Sequence, residues 1–149
     1  MKSDCPQRLR PVPFGLVVAL SAFFLVAGMS GVVAQGESIR SQISREGQVT
    51  VKVTPLTLSA GADAWRFEIE FDTHSVPLTH DLSAIAVLTD AGGIEYPPNA
   101  WEGDPPGGHH RKGILAFKPI RPMRESVTLK IRKVGSAAER TFTWRLSKS

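Results

Sequence analysis

The stretch Ala100-Trp101-Glu102-Gly103-Asp104-Pro105-Pro106-Gly107-Gly108-His109-His110-Arg111-Lys112-Gly113 crowds an aromatic, two acids, two imidazoles and two bases around a Pro-Pro-Gly-Gly turn. The prolines stiffen the chain, and the two glycines are free to take positive φ, so the backbone can turn sharply and approach a neighbour closely. The other histidines, His74 and His80, lie in the segment running from Asp72 to Asp81. Together with Asp72, Asp81, Glu102 and Asp104 these imidazoles offer nitrogen and oxygen donors, a set suited to zinc or copper(II). Adjacent side chains on extended backbone point to opposite faces, so His109 and His110 are not expected to grip one ion together. One of them is expected to pair with His74 or His80. Trp101, Glu102, Asp104 and Arg111 complete the candidate binding loop, and Trp101 also reads as a plug whose indole N–H finds a nearby carbonyl.

The same residues say less for catalysis. Ser75 beside His74 and Asp72 lacks the GxSxG elbow that exposes a nucleophile. Glu102 and Asp104 share one short loop with no recognisable substrate pocket around them. Met123 is the only soft donor beyond the N-terminal region, which argues against a blue-copper centre. A non-enzymatic binding role is the expectation.

Loops of this kind need rigid elements to hold them. Trp65, Phe67, Ile69 and Phe71 alternate with Arg66, Glu68, Glu70 and Asp72, the pattern of a strand with one buried and one solvated face. Val127, Leu129 and Ile131 repeat it, as do Phe142, Trp144 and Leu146. Shorter candidates lie at Val49 to Val53, Thr57 to Leu58, Ala84 to Leu88, Ile94 to Tyr96 and Ile114 to Phe117, separated by Gly, Pro and Asp turn residues. About seven short strands with no amphipathic helix between them predict an all-β antiparallel β-sandwich, with the residues from Pro97 to Gly108 as a loop. Trp65, Phe67, Phe71, Phe117, Phe142 and Trp144 are expected in its core rather than in a site.

Residues 1–34 read as a targeting segment. Lys2, Arg8 and Arg10 precede a charge-free run from Phe14 to Ala34, and Val32-Val33-Ala34 suits cleavage before Gln35. The alternative is an uncleaved N-terminal anchor, since the run is long enough to span a bilayer as a helix. Either way the remainder is expected outside the cytoplasm, in the periplasm or beyond. Residues 35–48 read as a linker or short helix, and 49–149 as the sandwich domain. Cys5 is the only cysteine and lies ahead of the apolar run, so no disulfide or thiol serves the domain.

Charge is divided along the chain. From Gln35 to His110 four bases face eleven acids, and from Arg111 onward eleven bases face two acids. This predicts either a basic face for an anionic partner or cross-strand pairing, with Glu68 and Glu70 opposite Lys130 and Arg132. Nucleic acid is not expected as a partner, because no exposed aromatics interleave with the bases. A membrane is expected to be met only through an uncleaved N-terminal segment.

The combination of Asp72-Thr73-His74-Ser75, the Trp101 to Arg111 loop, and Phe142 with Trp144 resembles exported prokaryotic domains of immunoglobulin-like or cupredoxin-like type over roughly Val49 to Leu146. The resemblance implies export and a sandwich, and carries no activity with it. Copper-resistance sandwich proteins are a poorer match, because the chain beyond the apolar run begins with Gln35 and not with a histidine ligand. The leading expectation is an exported binding module with a divalent metal, zinc or copper, at its rim histidines. The alternative is an accessory module that docks an envelope protein through its basic late strands.

Overall fold

Alternation in the chain is expressed directly as two sheets. In the computed structural model, which describes residues 39–146, nine strands and one short helix follow in the order β1 (Gln42–Glu46), β2 (Val49–Thr57), β3 (Trp65–Thr73), α1 (Leu82–Ile85), β4 (Ala86–Asp90), β5 (Glu95–Tyr96), β6 (Ala100–Gly103), β7 (His110–Phe117), β8 (Ser126–Val134) and β9 (Ala137–Arg145). One sheet has the order β1-β2-β3-β7-β6, the other β5-β4-β8-β9, and every pairing is antiparallel. The protein is an all-β antiparallel sandwich. Consecutive strands β3 and β4 lie in different sheets, as do β7 and β8, while β3 pairs with β7 and β4 with β8. That interlock ties the two layers together through the chain itself.

The core lies between the sheets. Trp65, Phe67, Ile69 and Phe71 of β3 are buried, as are Val127, Leu129 and Ile131 of β8 and Phe142 and Trp144 of β9. Phe67 meets the edge of Phe117 at a centroid distance of 5.7 Å and lies 5.3 Å from Trp144, so aromatics from both sheets form the centre. Each such side chain contributes roughly 1.5–3 kcal/mol by leaving water. The two indole N–H groups are satisfied at the margin of this core, Trp65 Nε1 donating to Ser59 O at 3.0 Å and Trp144 Nε1 to Arg40 O at 2.8 Å. All nine strands and the core they enclose fall within residues 39–146, so this part of the chain carries its own hydrophobic core.

Four sequence expectations need correction or lie elsewhere. The segment 35–48, expected as a linker or short helix, contains strand β1, which pairs in register with β2 from Gln42↔Val53 to Glu46↔Val49. The stretch from Pro97 to Gly108, expected as a loop, contains β6, whose four residues pair with β7. Glu68 and Glu70 do not face Lys130 and Arg132, because early and late strands belong to different sheets. Instead Lys112 pairs with Glu68 at 3.0 Å and Lys52 with Glu70 at 2.9 Å, while Arg132 reaches Glu95 and Glu139. The signal or anchor segment 1–34 lies outside the described residues. Among the described residues no helix is long and apolar enough to cross a membrane.

Candidate functional site

The histidines gather at one end of the sandwich, where β3 finishes and β7 begins. Asp72 stands opposite His110 in the β3–β7 register, both on the outer face, and His110 Nδ1 lies 3.0 Å from Asp72 Oδ2. Both side chains are more than half exposed. The loop after β3 and the turn before β7 are bound to each other by main-chain hydrogen bonds. Thr73 N–H donates to His109 O at 2.9 Å, Leu78 N–H to Gly108 O at 3.1 Å, and Gly107 N–H to Leu78 O at 2.8 Å. The histidine-bearing segments are therefore one clasped surface.

Arg111 is the fastener. It was expected as an exposed rim base for a ligand, but it is only 3 % exposed. Its NH1 donates to His80 O at 2.5 Å and its Nε to Asp104 O at 3.0 Å, while the guanidinium lies 5.2 Å from the centre of the Trp101 ring. Burial pushes the guanidinium pKa down, opposed by the charges of Asp81 and Asp104. The reason it folds inward is its phase: Arg111, Gly113, Leu115 and Phe117 share one face of β7, and the last two are core residues.

Trp101 is held between that cation and a pair of glycines. Gly103 and Gly113 are register partners, and a Cβ on Gly113 would sit 2.6 Å from Trp101 Cζ2 and 2.6 Å from Gly103 Cα. Only glycines let the ring come this close to the backbone. The indole N–H donates to Asp104 O at 2.9 Å, the kind of carbonyl bond expected of it. Asp104 itself is consumed by the turn. Its N–H donates to Lys112 O at 2.9 Å and its Oδ2 accepts from Lys112 N–H at 2.8 Å. Glu102 accepts from Arg66 NH1 at 2.9 Å on the outer face. Of the four non-histidine residues singled out in this loop, all have structural partners.

The imidazoles divide in the same way. His74, His109 and His110 are exposed, whereas His80 is half-buried and lines a small void with Phe71, Leu78, Leu82, Arg111 and Val134. That void, about 10 Å³, is at the limit of a single water. Among the described residues no group of three or more His, Cys, Asp or Glu side chains is gathered as a metal would require. The structure brings together His110 and Asp72 and adds no third donor.

Two residues at this end were not foreseen. Thr73 is buried, and its hydroxyl donates to Gln48 O at 2.9 Å and accepts from Val76 N–H at 3.1 Å, joining the β1–β2 turn to the histidine loop. Arg140, 2 % exposed, donates to Val49 O at 2.8 Å, Glu46 O at 2.6 Å and Val134 O at 3.2 Å, and so sews one sheet to the other. Burial pushes its pKa down too. The signal was available in the phase of the strands: Thr73 continues Trp65, Phe67, Ile69 and Phe71, and Arg140 precedes Phe142, Trp144 and Leu146 by even steps.

Two bases of the late strands are paired with carboxylates. Lys130 lies 3.6 Å from Glu95, and Arg132 lies between Glu95 at 2.5 Å and Glu139 at 3.0 Å. The charge division in the sequence is thus met in part within each sheet, with Lys133 and Arg145 of the late strands outside these pairs. Comparisons with known protein families, curated proteins and solved structures give no match to this chain.

Proposed function

We propose that this chain is an exported, non-enzymatic β-sandwich binding module, of immunoglobulin-like or cupredoxin-like type, whose ligand meets the rim carrying His74, His109 and His110. The observation that supports this reading is the Arg111 clasp: a buried cation and three main-chain bonds fix two loops that present exposed imidazoles. A rigid base under exposed donors lowers the ordering cost of binding. Against a hydrolytic role stands Ser75, whose hydroxyl donates to Gln48 Oε1 at 2.9 Å as part of the loop's own bonding.

Zinc or copper(II) remains the ligand whose chemistry suits these donors. The fit is partial. Asp72 beside Nδ1 favours the tautomer that leaves His110 Nε2 as the free lone pair, the usual carboxylate–histidine arrangement behind a metal ligand. With no third donor gathered among the described residues, an ion held there keeps water at other positions. Calorimetric titration of untagged residues 35–149 with each metal tests the reading. One-equivalent binding is expected, lost in His110→Ala, reduced about tenfold in Asp72→Asn, and weakened as acid protonates imidazole. No heat with either metal, or binding indifferent to His74→Ala and His110→Ala, rejects the metal.

A further inference from the structure

The opposite end of the sandwich is built differently. There a groove of about 340 Å³ is lined by Ile39, Leu56, Leu58, Met123 and Leu146, with Thr57, Ser59 and Ala60 at its margin. Leu56 is 49 % and Ile39 39 % exposed, two of the four large hydrophobics that are exposed among the described residues. A solitary exposed leucine needs no explanation, but two at the mouth of an apolar groove form a patch. The exposure of Leu56 is imposed by the backbone. The β2–β3 register passes from Pro55↔Phe67 to Thr57↔Arg66, so Leu56 is the extra residue of a β-bulge. Bulges re-aim a side chain out of the ladder.

Positive charge is found at the same end of the sandwich. Lys118, Arg121 and Arg145 are exposed at this end, and none meets a carboxylate among the described residues. Arg121 reaches over the groove's shoulder to Ala62 O at 3.5 Å. On the sheet faces Lys52, Arg66, Lys112, Lys130 and Arg132 are paired, while Arg45 and Lys133, toward the other end, meet no carboxylate among the described residues. The acids of this end are Asp63, Glu125 and the buried Asp90, which Arg124 already meets at 3.3 Å.

We propose that this end of the sandwich is a membrane-facing surface, with Leu56 and Ile39 dipping into the interface of an anionic bilayer and Lys118, Arg121 and Arg145 against its head groups. Apolar insertion and basic attraction together are what hold a protein on such a surface, since either alone is weak. The surface is independent of the histidine rim, which lies at the far end of the strands.

Sedimentation of residues 35–149 with vesicles tests it, using phosphatidylglycerol mixed with phosphatidylcholine against phosphatidylcholine alone. Binding is expected to the anionic vesicles and to fall with salt. Leu56→Ser, at a half-exposed position, should lower it roughly tenfold, and Lys118→Glu with Arg121→Glu about twentyfold or more, with thermal unfolding of each variant near that of the parent. His74→Ala with His110→Ala should leave it unchanged, so failure of the metal reading and failure of this one are separable. Absence of binding to the anionic vesicles, equal binding by parent and Leu56→Ser, or a dimer in solution that Leu56→Ser dissociates would overturn the proposal.

Discussion

Gln42 on β1 bonds the main chain of Thr143 on β9 in both directions, its Nε2 donating to the carbonyl at 2.6 Å and its Oε1 accepting from the N–H at 3.2 Å. A side-chain amide here takes the place of a neighbouring strand. β1 and β9 are the edges of their two sheets, and such edges carry unpaired main-chain groups that invite pairing with another chain. The amide covers one position of the β9 edge and fastens it to the opposite sheet. Trp144 Nε1, donating to Arg40 O at 2.8 Å, adds a second tie beside it.

Removal of the amide should therefore loosen the seam between the sheets. Gln42→Met keeps the length of the side chain and loses both bonds, and is expected to cost about 1–2 kcal/mol. Urea unfolding reads this as a lower midpoint with an unchanged slope. A midpoint equal to that of the parent would show that water replaces the amide at no cost.

β1 also shows why part of the fold was hidden in the sequence. Strands β3, β8 and β9 announce themselves because large apolar residues occupy every second position and polar ones fill the gaps. In β1 the order is inverted: Gln42 and Ser44 are the half-buried positions, and Ile43 is 49 % exposed. No hydrophobic alternation marks it, since its inward groups are held by hydrogen bonds. β6 was masked by its four-residue length and by Gly103, which reads as turn chemistry until it is seen facing Gly113 beneath Trp101. Arg111 and Arg140 were masked by residue type, because a base is ordinarily assigned to solvent even where its strand phase points inward. The site was legible as a pair of juxtaposed loops, and the indole bond of Trp101 was foreseen. The division of labour within it was not, because alternation gives the face of a residue and says nothing of which carbonyl lies within its reach.

Asp90 is expected to make stability depend on pH. The N–H of Ile94 at 3.0 Å and of Gly92 at 2.9 Å, then the Tyr96 hydroxyl at 3.3 Å and Arg124 at 3.3 Å, hold its carboxyl below the usual aspartate range in spite of burial. A group whose pKa is lower in the folded chain stabilises it fully above the unfolded value, about 3.9, and loses that contribution as the pH falls through the lower folded value. Asp90→Asn should thus be less stable than the parent at neutral pH, and the gap should close in acid. Denaturant midpoints of both proteins across the acid range measure it. A gap that stays constant with pH would assign the acid sensitivity to other carboxylates, Glu70 first among them, whose pKa is lowered by the hydrogen bond from Lys52 and the charge of Lys112.

Arg111 makes the sharpest prediction, because it was read from sequence as a ligand contact and stands in the structure as a buried support. Arg111→Met keeps the apolar stem and withdraws the donors from His80 O and Asp104 O together with the cation over Trp101. The half-buried His80 O loses its side-chain donor while Asp104 O keeps the Trp101 indole, and the change is expected to cost about 1–3 kcal/mol. Arg111→Lys should recover little of it, since one ammonium cannot reproduce the fork that reaches both carbonyls while lying against the ring. The loss should also be local before it is global. Amide exchange at Leu78, whose N–H is bonded to Gly108 O at 3.1 Å, should quicken more than at Leu129 in the centre of β8. His110→Ala, at an exposed contact with Asp72, should shift stability by no more than roughly 1 kcal/mol. Should Arg111→Met unfold with the parent's midpoint and leave Leu78 protected, the main-chain bonds between the two loops would be sufficient by themselves, and the buried guanidinium would need another reason to be there.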